Sequence, residues 1–323
     1  MGLDRFPRVA LGHWPTPLEP CLRLHEAVGG PLVWLKRDDC SGLAFGGNKT
    51  RKLEFLLGEA LAADASRVVT FGAIQSNHAR QTVAACNRVG LACDLILVEL
   101  VDRATDAYAT SGNRLLDDVL GATVHVVPDF DAAAELAAEL AAADPARFFV
   151  GTGGSTPVGT LGYVAMVAEL AAQLDEVGVV PQRVVTATSS GGTAAGLVLG
   201  AALGGHDVEV LAAAVSDSAD VARDTIDALV GQTALLVDDP LEGEAVLTVD
   251  DSCLGEGYGV PTAASQAAIE LLARTEGVLL DPVYTAKAFA LLLDRLGDWD
   301  PDGDVVFVHT GGQPGLFAYG DEF

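Results

Sequence analysis

Short runs of apolar, β-branched residues alternate along this chain with longer Ala- and Leu-rich stretches. The short runs place apolar side chains at consecutive positions, which is typical of strands buried on both faces. The longer stretches have their apolar side chains at helical spacing. The pattern predicts strands at residues 31–36, 67–72, 93–100, 123–127, 147–151, 183–189, 208–215 and 304–310, and helices at residues 50–63, 77–89, 111–120, 131–143, 159–174, 192–203, 219–230, 262–275 and 285–297.

Repeated strand–helix units of this kind predict an α/β protein in which parallel sheets carry helices on both faces. The 323 residues exceed one ordinary doubly wound domain, so we expect two such domains with a ligand cleft between them. We place a smaller domain at residues 46–156, and a larger domain formed by residues 1–45 and 157–323. The Gly-rich segment 151–159 is the expected crossover.

The charge of the chain excludes several classes of partner. It has 45 acidic and 19 basic residues, a net charge of −26. Such a surface repels nucleic-acid phosphates and anionic membranes, so we expect neither as a partner. The first ten residues lack the apolar segment of a signal peptide, and no uncharged apolar run reaches membrane-spanning length, which favours a cytoplasmic protein.

Lysine is scarce, since the chain has fifteen Arg but only four Lys: Lys36, Lys49, Lys52 and Lys287. An acidic, Lys-poor composition resembles that of proteins from salt-loving organisms, where salt screens the self-repulsion, so we expect a halophilic protein. Each remaining Lys has a better than usual chance of a specific role. The five Cys are odd in number and show no CxxC spacing, so we predict reduced thiols and no metal site.

The segment Gly46–Lys52 ends an irregular stretch just before a predicted helix. A Lys held at such a junction in a low-dielectric cleft has a lowered pKa and a nucleophilic amine, as a Schiff base with an aldehyde cofactor requires. Lys49 is the candidate. Lys52, three residues later, is expected to extend its amine to solvent.

Three loops that follow predicted strands supply further polar groups. Gln75–His78 opens a helix; its Ser and Asn can cap that helix, and its free N–H groups suit a carboxylate. Ser189–Thr193 also opens a helix, with small residues that let backbone N–H groups approach a phosphate. In the third, His309–Gly312, Thr310 can bond a heterocycle nitrogen. Separately, Tyr284 can act as a general acid or base if its phenol faces the cleft. An amine, a phosphate cradle and polar groups for a ring together describe a pyridoxal-5′-phosphate (PLP) site.

Long motifs carry a family resemblance. KRDDCSGLAFGGNKTRKLEFL, GAIQSNHARQT, SSGGTAAG, GYGVP, LLDPVYTAKA and VFVHTGGQPGLFAY, in this order, resemble the D-cysteine desulfhydrase and 1-aminocyclopropane-1-carboxylate (ACC) deaminase family. These are PLP enzymes of fold type II, the tryptophan-synthase-β-like class. The resemblance implies an active site in the interdomain cleft and a homodimer.

The resemblance also implies residue roles. It implies that Lys49 forms the Schiff base with the cofactor, that Asn77 hydrogen-bonds the ring hydroxyl and that Thr310 faces the pyridine nitrogen. The residues implied to bind the phosphate are Ser190, Gly191, Gly192 and Thr193. It also implies that Ser76 and the adjoining backbone bind the substrate carboxylate. The other residues implied to line the substrate site are Asn77, His78, Tyr258 and Tyr284. Lys49, Ser76 and Tyr284 are the expected catalytic residues.

The implied reaction is α,β-elimination on a small sulfur amino acid, with D-cysteine giving pyruvate, sulfide and ammonia. ACC deaminases resemble this chain but carry Glu where it has Thr285, which argues against ring opening. The segments KRDDCSGLA and QSNHARQ also resemble L-cysteate sulfo-lyases, so sulfite elimination is an alternative. A non-catalytic PLP-binding or amino-acid-binding protein is an alternative of another class. A nucleotide-dependent oxidoreductase is disfavoured because the chain lacks GxGxxG.

Overall fold

A computed structural model describes residues 2–323 and contains two sheets, one of six strands and one of four. The strands are β1 (Leu18–Pro20), β2 (Leu32–Lys36), β3 (Arg67–Ala73), β4 (Ala92–Val98), β5 (Thr123–Val127), β6 (Arg147–Val150), β7 (Pro181–Thr188), β8 (Glu209–Ala214), β9 (Val246–Asp250) and β10 (Asp304–Val308). The helices are α1 (Leu22–Val28), α2 (Lys49–Ala62), α3 (Asn77–Val89), α4 (Asp106–Thr110), α5 (Gly112–Val119), α6 (Phe130–Ala143), α7 (Pro157–Val177), α8 (Gly192–Gly204), α9 (Ala219–Val237), α10 (Ala263–Glu276), α11 (Thr285–Arg295) and α12 (Gly315–Ala318).

The larger sheet has the order β1-β2-β10-β7-β8-β9, and the smaller has the order β5-β4-β3-β6. All neighbouring strands are parallel except β1, which runs antiparallel to β2. The strands β3, β4, β7, β8 and β10 are almost fully buried, since helices cover both faces of each sheet. This confirms the predicted α/β class with parallel sheets.

The sequence pattern did not predict two of the strands, β1 and β9, and both lie at an edge of the larger sheet. β1 is three residues long and ends in Pro20, which has no N–H to donate. β9 is only half-buried along its length, so it lacks the continuous apolar run of a central strand. Edge strands pair on one side only, and their sequence pattern is correspondingly weaker.

Helix α2 contacts α3 beside the smaller sheet and α7 beside the larger one. Its third residue, Arg51, enters a buried ionic cluster and donates to Asp38 and to both carboxylate oxygens of Glu169. Lys36 donates to Glu169 at 2.5 Å, and Tyr163 donates to Asp38 at 2.5 Å. Burial alone would raise the pKa of Asp38, but Arg51 holds it below its ordinary value. These contacts fix the first turn of α2, where Lys49 lies.

Helix α7 has the length and apolar composition of a membrane span. More than half of its most apolar window is buried against other parts of the chain, including α2 and α8. Its apolar surface therefore contributes to the protein core.

Candidate active site

A cavity of about 380 Å³ lies between the two sheets. Its walls come from the loops that follow β3, β7 and β10, from the start of α2 and from the segment before α11. Carboxyl ends of parallel strands are where α/β proteins bind ligands, because helix N-termini converge there. Every candidate site residue predicted from the sequence lines this cavity: Lys49, Ser76, Asn77, His78, Ser190, Gly191, Gly192, Thr193, Tyr258, Tyr284 and Thr310.

Lys49 is the first residue of α2, and two glycines shape the turn that precedes it. Gly46 has φ +65°, and a Cβ there would lie 2.1 Å from the carbonyl oxygen of Asp39. Gly47 donates its N–H to the carbonyl of Asp38, and Asn48 donates its N–H to the carbonyl of Thr310. Burial lowers the pKa of Lys49 to about 8. The uncharged, nucleophilic fraction of this amine at neutral pH is therefore far larger than that of an exposed lysine.

The N-terminus of α8 forms an anion cradle beside Lys49. Ser190 and Ser155 share a hydrogen bond of 2.7 Å, and Gly192 donates its N–H to Ser155. A Cβ at Gly192 would lie 2.7 Å from the Ser155 hydroxyl oxygen, so only glycine fits at this position. The Thr193 hydroxyl accepts from the side chain of Asn48 at 3.0 Å, which connects the cradle to the Lys49 turn.

The sequence prediction for Lys52 is wrong, because its amine is buried and does not reach solvent. The side chain is 1% exposed, and Nζ donates to the carbonyl of Gly153 (3.2 Å) and to the Ser155 hydroxyl (3.0 Å). No carboxylate among residues 2–323 pairs with it. Burial, reinforced by Lys49, lowers its pKa well below the ordinary value. Because its partners are neutral, the charged form of this amine is disfavoured unless an anion occupies the adjoining cradle.

The loop after β3 presents Ser76, Asn77 and His78. The Ser76 hydroxyl oxygen accepts the Ala79 N–H as the N-cap of α3, which leaves its own proton free to donate. His78 is 3% exposed, and its Nε2 bonds the Thr70 hydroxyl at 2.8 Å. Burial, with Lys49 and Lys52 nearby, lowers the pKa of His78 well below its ordinary value, so the ring is neutral.

Two phenols meet on another wall of the cavity. The hydroxyl oxygens of Tyr258 and Tyr284 lie 2.5 Å apart, and their rings pack edge to face. Burial raises the pKa of both, that of Tyr284 far above its ordinary value, so both hydroxyls stay protonated. Lys287 supports the Tyr258 loop from behind by donating to the carbonyls of Leu254 and Gly257.

Three threonines near the cavity differ in position and in hydrogen bonding. Thr310 lines the wall next to Gly311. Thr188 also lines it, and its buried hydroxyl has no hydrogen-bond partner among the described residues. Thr285 is fully buried, and its hydroxyl donates to the Asp281 carboxylate at 2.6 Å. The hydroxyl of Thr285 therefore caps a turn and does not face the cavity.

Comparison with known proteins identifies the class. The profile of the pyridoxal-phosphate dependent enzyme family matches residues 9–311. This chain belongs to that family, and it is a PLP-dependent lyase. D-cysteine desulfhydrases of Salmonella newport (strain SL254) and Salmonella paratyphi C (strain RKS4594) are each 42% identical to it over 98% of this chain and 97% of theirs. A crystal structure of an ACC deaminase homologue superposes with a TM-score of 0.89 at 37% identity, covering 99% of this chain and 96% of the other.

The residues of the cavity fit this cofactor. A phosphate matches the cradle of Ser190–Thr193 and would stabilise the charged form of Lys52, and an aldehyde matches the amine of Lys49. Sequence reasoning predicted that Lys49 and Ser190–Thr193 share one site, and they line the same cavity, but it did not single out Lys52 or Ser155 as members of that site. The scarcity of lysine was the one signal for Lys52, since a chain that avoids this residue retained it here.

Proposed function

We propose that this enzyme carries out α,β-elimination on D-cysteine, releasing pyruvate, sulfide and ammonia. The observation that carries the proposal is the placement in one cavity of Lys49, with a pKa of about 8, and of the buried amine of Lys52, which has no carboxylate partner among residues 2–323. The names of the related desulfhydrases support the choice of substrate.

The cofactor would be held by residues of both sheets. Lys49 would bond it covalently, Ser190–Thr193 and Lys52 would bind its phosphate, Asn77 would contact the ring oxygen, and Thr310 would contact the ring nitrogen. When bound, the cofactor delocalises the negative charge that develops at the substrate Cα. Thr310 is a neutral hydroxyl partner, which does not enforce protonation of the ring nitrogen as a carboxylate would.

The substrate would be oriented by the loop after β3. The free hydroxyl proton of Ser76 and the backbone N–H groups at the start of α3 would bind its carboxylate. Lys49, once its amine is released, would take the proton from Cα. His78 would shape this wall without exchanging protons, because its ring is neutral and bonded to Thr70.

The tyrosine pair would protonate the departing sulfur. One hydroxyl donates to the other, so the second phenol keeps a proton that can be directed into the cavity. We assign this proton to Tyr284 and the orientation of Tyr284 to Tyr258. The raised pKa values keep the pair neutral until the thiolate forms.

An assay of pyruvate from D-cysteine, L-cysteine and L-cysteate, with 2-oxobutanoate from ACC, tests the substrate. D-cysteine should give the highest kcat/KM, and a dominant rate on L-cysteate or ACC would reassign the enzyme to those alternatives. ACC is a specific rival because a solved relative is an ACC deaminase homologue. Lys49→Ala should abolish both pyruvate release and covalent attachment of the cofactor. A Lys49→Ala protein that still bound PLP covalently and released pyruvate would refute the assignment of Lys49.

We further propose a cytoplasmic homodimer that interacts with neither nucleic acid nor membrane and is adapted to high salt. The net charge of −26 and the burial of α7 support this. The proposed domain boundaries stay at residues 46–156 for the smaller domain, with 1–45 and 157–323 forming the larger. Light scattering in molar salt and in dilute buffer tests the dimer and the salt requirement: a monomer, or full stability in dilute buffer, would contradict them.

A further inference from the structure

The side-chain amide of Asn113, in α5, lies behind the cavity wall and contacts it through Asn77. Asn113 is fully buried, and its Nδ2 donates to Oδ1 of Asn77 at 2.8 Å and to the carbonyl of Gln75 at 3.0 Å. Its Oδ1 accepts from Nε of Arg80 at 2.8 Å. All the polar atoms of this amide are therefore engaged.

These partners permit one orientation of the Asn113 amide. Arg80 can only donate, and the carbonyl of Gln75 can only accept, so exchanging the oxygen and nitrogen of Asn113 would break both contacts. With Nδ2 of Asn113 fixed as a donor, Oδ1 of Asn77 is occupied as its acceptor. The group that Asn77 has left for the cavity is its NH₂, a donor.

Arg80 is itself held in place. It donates to the carbonyls of Ala44 and Gly46, in the segment that leads to Lys49. The acidic side chain that acts on Arg80 is Asp117, on α5; burial raises its pKa to about 8, and neither of its carboxylate oxygens has a hydrogen-bond partner within residues 2–323. Burial lowers the pKa of Arg80 only to about 10, so this guanidinium remains a donor at neutral pH.

We propose that Asn113 is a positioning residue that fixes Asn77 as a hydrogen-bond donor to the cavity, so that the site prefers a negatively charged ring oxygen there. The proposal rests on the assignment of Asn77 to the cofactor ring. An acceptor in the same place would repel that oxygen. Asn113 thus determines the polarity of a contact that it does not itself make.

Asn113→Asp tests this with almost no change of shape. Both side-chain oxygens of the introduced Asp accept, so Asn77 would rotate its NH₂ towards them and turn its own oxygen into the cavity. Asn113→Ala removes the constraint without imposing the reversed orientation. Asn87→Asp is the matched control: it adds the same charge on exposed α3 surface, where Asn87 donates only to the carbonyl of Leu120.

Two readouts apart from turnover report the contact: the dissociation constant of PLP, and the pH at which the near-visible band of bound PLP titrates. The ring oxygen carries most charge after the imine proton leaves, so loss of a donor makes that proton harder to remove. Asn113→Asp should raise the titration pH by about one unit and weaken PLP binding about tenfold, as loss of one charge-assisted hydrogen bond does. Asn113→Ala should show smaller shifts, and Asn87→Asp none.

The titration pH decides the outcome. Asn113→Asp also places a carboxylate oxygen against the carbonyl of Gln75, so a purely structural role predicts lower stability of both variants without a shift of the titration pH. An unshifted titration pH in both variants would overturn the proposal. If Asn113→Asp does not fold, as thermal melting would show, Asn113→Ala must still raise the titration pH; an unchanged value then overturns it. A wild-type protein without any near-visible band would instead count against the proposed cofactor site.

Discussion

Replacing Lys52 by Met should stabilise the cofactor-free protein and weaken its binding of PLP. Met fills a similar volume without the charge. In the cofactor-free state the substitution removes a buried amine whose charge is disfavoured there and which donates only to the carbonyl of Gly153 and the hydroxyl of Ser155. Replacing buried charges by apolar groups of similar volume is commonly neutral or stabilising, by about 1–4 kcal/mol. We expect an increase at the low end, since Ser155 and Gly153 lose a donor.

Cofactor binding should change in the opposite direction. A hydrogen bond between a charged donor and phosphate contributes about 1.5–3 kcal/mol, which corresponds to a roughly ten- to hundredfold increase in Kd. Titration of cofactor-free protein with PLP, followed by near-visible absorbance, measures the Kd. Thermal melting of the same sample without PLP measures the stability.

Lys36→Met is the matched control. Lys36 is equally buried, but it pairs with Glu169 at 2.5 Å and lies in the ionic cluster outside the cavity. Its loss should destabilise the protein with and without PLP. If Lys52→Met lowered the melting temperature of the cofactor-free protein and left the Kd unchanged, Lys52 would be a structural residue and the phosphate assignment would fail.

Three further outcomes follow from the same geometry. Because the pKa of Lys49 is about 8, the rate at which cofactor-free protein captures PLP should rise with pH and level off above about 8; a flat profile in stopped-flow absorbance would contradict this. Burial raises the pKa of Asp117 from 3.8 to about 8, so the folded protein retains a proton that the unfolded chain releases, and stability is lost as pH rises between these values. Asp117→Asn should therefore melt higher than wild type at pH 8 and equally at about pH 4; equal melting at both would show that Asp117 carries no such cost. Lys287→Met should lower kcat/KM for elimination about tenfold, since the Tyr258 loop loses two hydrogen bonds, while PLP binding stays unchanged; a loss of PLP binding instead would place the effect elsewhere.

The local features of the site were readable from the sequence. Helix α3 begins and ends where the pattern predicted it, because Ser76 caps it and Gly90 ends it in the left-handed conformation. The Gly-rich turns before Lys49 and α8 follow from steric limits that act within a few residues. The parallel sheets follow from consecutive apolar runs, which only a doubly covered strand can bury.

The sequence could not determine which side chains meet across long separations. Lys52 contacts Gly153, Tyr258 contacts Tyr284, and nothing in their local patterns distinguishes them from exposed neighbours. Its place on the helix predicted a solvated Lys52, whereas the segment that carries Gly153 and Ser155 encloses its amine.

The sequence by itself determined the α/β class and the turns that place Lys49 and Ser189–Thr193 at the starts of helices, because each depends on backbone preferences within a short segment. Only the tertiary structure decided the burial of Lys52, the orientation of Asn77 and the pairing of the two phenols. Those features depend on desolvation and on hydrogen bonds between distant segments, which exist only once both sheets have packed around the cavity.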